Sequence, residues 1–185
     1  LIWLVLIVTA MAGAIWLVNS PLLSIRTVTA TGAERTDPVA VADRLGVRPG
    51  TPTISVDGRA VEASLLESPW IADVDVMVSW PGSVEIEVIE RVPVASIPTD
   101  LGTFNVALDG VLVERTADHP IPPIIRSDRA AASGEGDRID HPATLGAIEF
   151  LDGLSPGLRR STTVTVVGDS IEATVDRYTV SLGRP

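Results

Sequence analysis

Two histidines, His119 and His141, are the side chains best able to move a proton near neutral pH. Each precedes a proline in loop-like sequence. Neither has an orienting group or a third ligand at the spacing that a metal centre or a nucleophile–base pair needs. Asp73, Asp75, Glu85 and Glu87 suggest a cation site or an acid/base pair, but each alternates with apolar neighbours, as the wet face of an antiparallel hairpin does. Gly134-Glu135-Gly136 lacks the lysine and the preceding strand of a phosphate loop. No serine or threonine sits on a nucleophile elbow. With no cysteine in the chain, disulfides, zinc–cysteine sites and thiol catalysis are excluded. No catalytic residue, metal ligand, cofactor or small-molecule substrate is expected, and function is expected to rest on surfaces.

The charge balance limits what those surfaces meet. The 185 residues carry 14 basic and 24 acidic side chains, a net charge of −10. Every basic residue is arginine, and none of the charges precedes Arg26. A surface this acidic repels phosphate and argues against nucleic acid as a partner. The uncharged run Leu1–Val18 is a different material, built from Leu, Ile, Val and Ala with Trp3 and Trp16 near its ends. Eighteen residues at helical rise span about 27 Å, close to the thickness of a hydrocarbon core. Residues 1–20 are therefore read as a transmembrane helix in contact with lipid through residues 1–18. Pro21 biases Ser20 out of the helix. The alternative, a cleaved signal peptide, fits less well, because the run exceeds the usual signal core and Asn19-Ser20-Pro21 is a poor cleavage site. The chain starts at Leu rather than Met and reads as truncated upstream. The flanking charges that would set membrane orientation are missing from it.

From Ser24 to Ala95 the pattern reads β-α-α-β-β. Ile25, Val28 and Ala30 form a strand that ends at Gly32. Asp37-Pro38 is a helix N-cap followed by a first-turn proline, and Val39, Val41, Ala42 and Leu45 make the apolar stripe before Gly46. A second short helix starts near Asp57, carries Val61 and Leu65, and stops by Pro69. Val74, Val76, Val78 and Trp80 then alternate with polar residues, and Val84, Ile86 and Val88 do so after Pro81-Gly82-Ser83. A three-residue loop at 81–83 sets Val78 opposite Ile86, Val76 opposite Val88, Glu90 opposite Val74 and Asp73 opposite Arg91. Trp80 is read as a core or hairpin-end anchor and Arg91 as pairing with local acids. Glu90 and Pro93 are read as hinge geometry between two domains.

The remainder, 96–185, reads as a mostly antiparallel β domain with one helix. Strand-like 104–108 and 111–113 flank Asp109-Gly110, a hairpin signal. Ile121-Pro122-Pro123-Ile124-Ile125 is extended, with little capacity for ladder pairing. Residues 127–140 read as a solvated loop, Pro142 to Asp152 as a helix, and three strands follow around Val164, Ala173 and Val180. The fold class is α+β.

Taken together, these motifs identify a family. Val78-Ser79-Trp80-Pro81-Gly82-Ser83-Val84 and Glu90-Arg91-Val92-Pro93-Val94-Ala95, behind a single apolar span and a strand ending at Gly32, resemble the FtsQ/DivIB family of bacterial cell-division proteins. Asp109-Gly110 and Leu182-Gly183-Arg184 fit its β domain more weakly. The all-arginine basic set, with many Ala, Val and Gly, looks like a high-GC, actinobacterial composition. The resemblance implies a transmembrane helix (1–20), a POTRA domain (24–95) and an FtsQ-type β domain (96–185). It implies a non-enzymatic divisome scaffold in the cytoplasmic membrane at the septum, with most of the chain outside. Its implied partners are FtsB (or DivIC) and FtsL, through which septal peptidoglycan synthesis is organised. Gly32, Trp80, Pro81, Glu90, Arg91, Pro93, Ala95, Asp109 and Gly110 carry the motif. In this chain Ser96 and Ile97 stand where the family often has an aromatic. The family continues into a further helix and a last, partner-binding strand, and the chain reads as truncated before them. Tyr178, Val180 and Leu182 are then the candidate partner edge, since a strand edge with unpaired N–H and C=O groups is a template for another chain. The competing reading is a POTRA-bearing transport or outer-membrane assembly factor. It needs tandem repeats or barrel strands that 96–185 does not show.

Overall fold

A computed structural model describes residues 2–18, 20, 23–116, 120–130, 134–175 and 177–183. They form two compact units, Leu1–Glu90 and Arg91–Pro185. Pro93–Ala95 therefore open the first strand of the second unit, where Pro93–Thr99 pairs with Gly102–Ala107, rather than closing the first.

The first unit begins with helix α1 (Ile2–Val18), 17 residues that contain no charge. At 1.5 Å per residue it is about 26 Å long, short of the roughly 30 Å hydrocarbon core. Among the described residues no helix is long and apolar enough to cross a membrane. Strand β1 (Thr27–Thr31), helix α2 (Pro38–Arg44), a 3-10 turn at Thr53–Ser55, helix α3 (Gly58–Leu66), and strands β2 (Ile71–Ser79) and β3 (Ser83–Glu90) follow. Asp37 caps α2 by accepting from Ala40 N at 3.0 Å, and Asp57 caps α3 by accepting from Ala60 N at 3.2 Å. Each carboxylate thereby satisfies one of the N–H groups that a helix start leaves open. The sheet order is β1-β3-β2, with β1 parallel to β3 and β2 antiparallel to it. Val61 and Leu65 of α3 and Val41 and Ala42 of α2 bury against Val84, Ile86 and Val88, the apolar face of the central strand.

The hairpin register differs from the expected one by two residues. Val78 faces Val84, Val76 faces Ile86 and Val74 faces Val88, so the loop is Trp80-Pro81-Gly82. The cause is Gly82, whose φ of +97° belongs in the turn; its N–H donates to Ser79 O at 3.0 Å. Trp80 consequently leaves the strand and stands at the hairpin tip, 58% exposed, not in the core. The same shift sets Asp73 opposite Ile89 rather than Arg91, and a bulge between Ile71 and Asp73 then sets Glu90 opposite Ile71 rather than Val74.

The second unit holds strands β4 (Pro93–Thr99), β5 (Gly102–Ala107), β6 (Leu112–Thr116) and β7 (Ile124–Ser127), helices α4 (Pro142–Asp152) and α5 (Pro156–Ser161), and strands β8 (Thr162–Val167), β9 (Ser170–Val175) and β10 (Tyr178–Gly183). Two helices thus stand where one was expected. The sheet order is β10-β9-β8-β7-β4-β5-β6. β7 is a central strand, parallel to both β4 and β8, although the proline pair before it suggested little pairing. A side chain resolves the conflict. Ser96 Oγ accepts from Ile121 N at 2.7 Å and donates to Asn105 Oδ1 at 2.6 Å, while Ser96 N donates to Pro123 O at 3.0 Å. Asn105 Nδ2 in turn donates to Glu114 Oε1 at 2.8 Å. The chain before and within the proline pair is thus held by Ser96, through its hydroxyl at Ile121 N and its N–H at Pro123 O, and the regular ladder begins at Ile124. Ala147, Ile148 and Leu151 of α4 are buried with Ile97, Phe104, Ile125, Val164 and Ala173 in one core.

Candidate interaction site

Gly32 and Glu90 meet at one end of the three-stranded sheet. Gly32 ends β1 at φ +81°, and a Cβ there would run into the carbonyl oxygen of Val88, so only glycine fits. The Glu90 carboxylate, at the end of β3, accepts from Arg35 N and Thr36 N, each at 3.0 Å to Oε1. Burial pushes the Glu90 carboxyl up. The backbone donors of Arg35, Thr36 and Glu34, with the Arg35 charge, outweigh it and hold the group below its usual range. Glu90 therefore clamps the loop after β1. The Arg35 guanidinium lies 4.1 Å from the centre of the Trp70 ring, a cation–π contact at the same loop.

Arg91, one residue later, acts in the other unit. Its Nε donates to Asp109 Oδ2 at 2.9 Å, so its partner is Asp109 rather than Asp73. Arg138 Nη2 reaches the same oxygen at 3.3 Å. Asp109 and Gly110 make the β5–β6 turn, in which Gly110 N donates to Ala107 O at 3.0 Å. At Gly110 (φ +81°) a Cβ would lie 2.6 Å from Leu145 Cδ2 and 3.2 Å from Ile139 O. Pro93 starts β4 and Ala95 is fully buried in the core. The motif residues thus separate into three places: Gly32 with Glu90, Trp80 with Pro81 at the other end of β3, and Arg91, Asp109 and Gly110 with Pro93 and Ala95 in the second unit.

The acidic group lies on the exposed face of the first sheet, where Asp75 faces Glu87. Among the described residues no cluster of three His, Asp or Glu side chains could hold a metal. His119 lies outside the described residues. His141 precedes α4, where its Nδ1 is 3.0 Å from Thr144 Oγ1, itself 2.9 Å from Ser127 Oγ. Its Nε2 is 3.8 Å from Asp169 Oδ1. Thr144 is fully buried and out of reach of a substrate, so this chain fastens α4 to the end of β7.

The sheet edges offer the remaining chemistry. β10 pairs with β9 on one side, and all its described residues are exposed, Tyr178 at 77% and Val180 at 50%. β6, at the opposite edge, is covered by its own chain: Leu112 N donates to Asp137 O and Gly136 N to Leu112 O, both at 2.8 Å, and Arg115 N donates to Glu135 Oε1 at 2.9 Å. Sequence reasoning missed two residues here, Ser96 and Glu135. No local signal points to Ser96, because the N–H it accepts belongs to Ile121, 25 residues away.

Residues 23–91 match the POTRA domain of FtsQ type. The chain is similar to bacterial cell division proteins named FtsQ. It is 35% identical over 134 residues to the cell division protein FtsQ of Streptomyces collinus, covering 71% of this chain and 50% of that one. The FtsQ of Streptomyces coelicolor is 33% identical, over 70% of this chain and 52% of the relative. The FtsQ of Anaeromyxobacter is 31% identical, over 80% and 52%. The chain spans about half the length of the curated relatives it matches. The FtsQ-type domain takes in both Gly32 and the Trp80-Pro81-Gly82 turn, and its matched region ends at Arg91, next to the junction of the two compact units.

Proposed function

We propose that this chain is a non-enzymatic component of the bacterial division machinery, held in the cytoplasmic membrane by residues 1–20 with its bulk outside. In this reading it binds FtsB- and FtsL-type partners and so helps place septal peptidoglycan synthesis. The observation that carries the reading is the FtsQ-type POTRA domain at 23–91, shared with relatives that are themselves named cell division proteins. Supporting the anchor, Ile2, Trp3, Leu4, Val5, Leu6, Ile7, Val8, Met11 and Trp16 are all exposed on α1, an apolar surface that water does not tolerate well. A shortfall of about 4 Å is within what local bilayer thinning accommodates. Supporting a partner role, β10 presents an open strand edge, and adding a strand is a general way for a sheet to bind a peptide.

Hydrogen exchange of the full chain, with and without the FtsB–FtsL ectodomain complex from the same source, tests this reading. Slower exchange of the Tyr178–Leu182 amides on adding the complex is expected. Unchanged exchange throughout the chain overturns the partner reading. Protection confined to other residues overturns the assignment to β10.

A further inference from the structure

The tip of the β2–β3 hairpin lies beside the point where the chain leaves α1. Ser20 is two residues past α1, at most about 7 Å along the chain. Leu23 N and Ser24 Oγ both donate to Ser20 O, at 3.0 and 3.1 Å, which holds Ser24 close to Ser20. Ser24 in turn packs on the hairpin loop. A Cβ on Gly82 would strike Ser24 O, and Arg26 N donates to Gly82 O at 2.7 Å. A third segment joins them, since Ser24 bridges Pro52, Ile25 N donates to Thr51 O and Gly50 N donates to Ile25 O, both at 2.8 Å. Segments 23–26, 48–56 and 79–84 therefore share the end of this unit from which α1 emerges.

The composition of that end differs from the rest of the unit. Its three segments hold Arg26 and Arg48 and no carboxylate, the nearest in sequence being Asp57 and Glu85 just beyond them, in a chain of net charge −10. Both arginines are exposed, and neither is in an ion pair among the described residues. Two large apolar side chains stand out of it, Trp80 at 58% and Ile54 at 67% exposure. An amphipathic ring with arginines around it is the set that favours a membrane interface, where the ring sits at headgroup level and the cations meet anionic lipid.

We propose that this end of the POTRA domain is a lipid-contacting surface, with Trp80 in the headgroup region of the bilayer and Arg26 and Arg48 on anionic headgroups. The proposal rests on the reading of residues 1–20 as a membrane anchor. The geometry is permissive, because the interfacial zone adds roughly 5–7 Å beyond the hydrocarbon on each side, and Trp80 is two residues from a glycine packed on Ser24. The contact orients the domain on the membrane, leaving the acidic outer face of its sheet to water.

The test uses the full chain reconstituted into vesicles of phosphatidylcholine with phosphatidylglycerol, some of the acyl chains brominated near the headgroup. Trp3→Phe, Trp16→Phe and Trp70→Phe together leave Trp80 as the one emitter. A companion variant keeps Trp16 alone and reports on the anchor. Loss of Trp80 emission in brominated vesicles is expected. Arg26→Gln with Arg48→Gln is expected to lower the ratio of docked to undocked tip about thirty-fold, equivalent to about 1 kcal/mol per arginine. Trp16 quenched and Trp80 not quenched overturns the proposal and leaves the anchor standing. Neither quenched overturns the anchor reading and this proposal with it. Trp80 quenching that is indifferent to the arginine changes overturns the role given to anionic headgroups.

Discussion

The seven-stranded sheet has two edges, and they are finished differently. At β6 the segment 134–139 folds back, and main-chain and Glu135 acceptors take up N–H groups of Leu112 and Arg115. Leu112 and Val113 are as buried there as residues of a central strand. At β10, by contrast, the described residues place nothing on the outer side, and every residue is exposed. Strand edges attract other chains wherever they are left bare. One sheet thus shows both treatments, and the difference indicates that edge protection at β6 is specific sequence, a short acidic, glycine-containing segment, rather than a property of the fold.

The sharpest way to break the contrast is to compare apolar truncations at the two edges. Leu112→Ala is expected to cost about 2–5 kcal/mol in denaturant unfolding, as core truncations do. Leu182→Ala on β10 is expected to stay within about 0.5 kcal/mol; equal losses would mean that β10 is covered too. Next in size is Gly110→Ala, at the turn that leads into β6. Its positive φ and the 2.6 Å approach to Leu145 Cδ2 predict a loss of about 2 kcal/mol, read by thermal unfolding. Smaller again, Glu135→Ala removes the acceptor of Arg115 N and is expected to cost about 1 kcal/mol. Faster hydrogen exchange at Arg115, with the β10 amides unaffected, would confirm that the closure is local.

The last comparison uses acid. Glu90 closes a loop in the first unit as Glu135 closes an edge in the second, and its carboxyl is held below its ordinary value of 4.5. The folded state therefore gains stability from this group above that value, and the gain is lost as the pH falls through the lower folded value. Amide exchange at Arg35 and Thr36, corrected for intrinsic pH dependence, is expected to rise across that window. Glu90→Gln is expected to abolish the rise, and β10 exchange to be indifferent to both changes.

Much of this was legible in advance because local rules carried it. Asp37-Pro38 and Asp57 started helices where capping chemistry required, and α4 spans the expected 142–152. Alternation located β2 and β3, but alternation has no end marker. It ran on into Trp80 and displaced the register by two, whereas the positive φ available only to Gly82 decides where the turn sits. The proline pair at 122–123 was read correctly as a gap in pairing, but the reading extended the gap over Ile124 and Ile125, which lie in a central strand. What local sequence did not contain was Ser96, 25 residues before Ile121, whose hydroxyl accepts the Ile121 N–H ahead of the gap. Partners this far apart leave no periodic trace. The same holds for Glu90, whose donors lie 54 and 55 residues away, and for Arg91, whose acid was sought across a strand and lies in the next hairpin.

The Ser96 relay also bears on how related sequences diverge. Ser96, Asn105 and Glu114 sit side by side on three successive strands, β4, β5 and β6, and each polar group is answered by the next. Replacing any one leaves a polar atom without its answer in or near a dry core, at a cost in stability that a matching change at the neighbouring position would remove. The three positions are therefore expected to change together, and a relative with an apolar or aromatic residue in place of Ser96 is expected to have altered Asn105 and Glu114 as well.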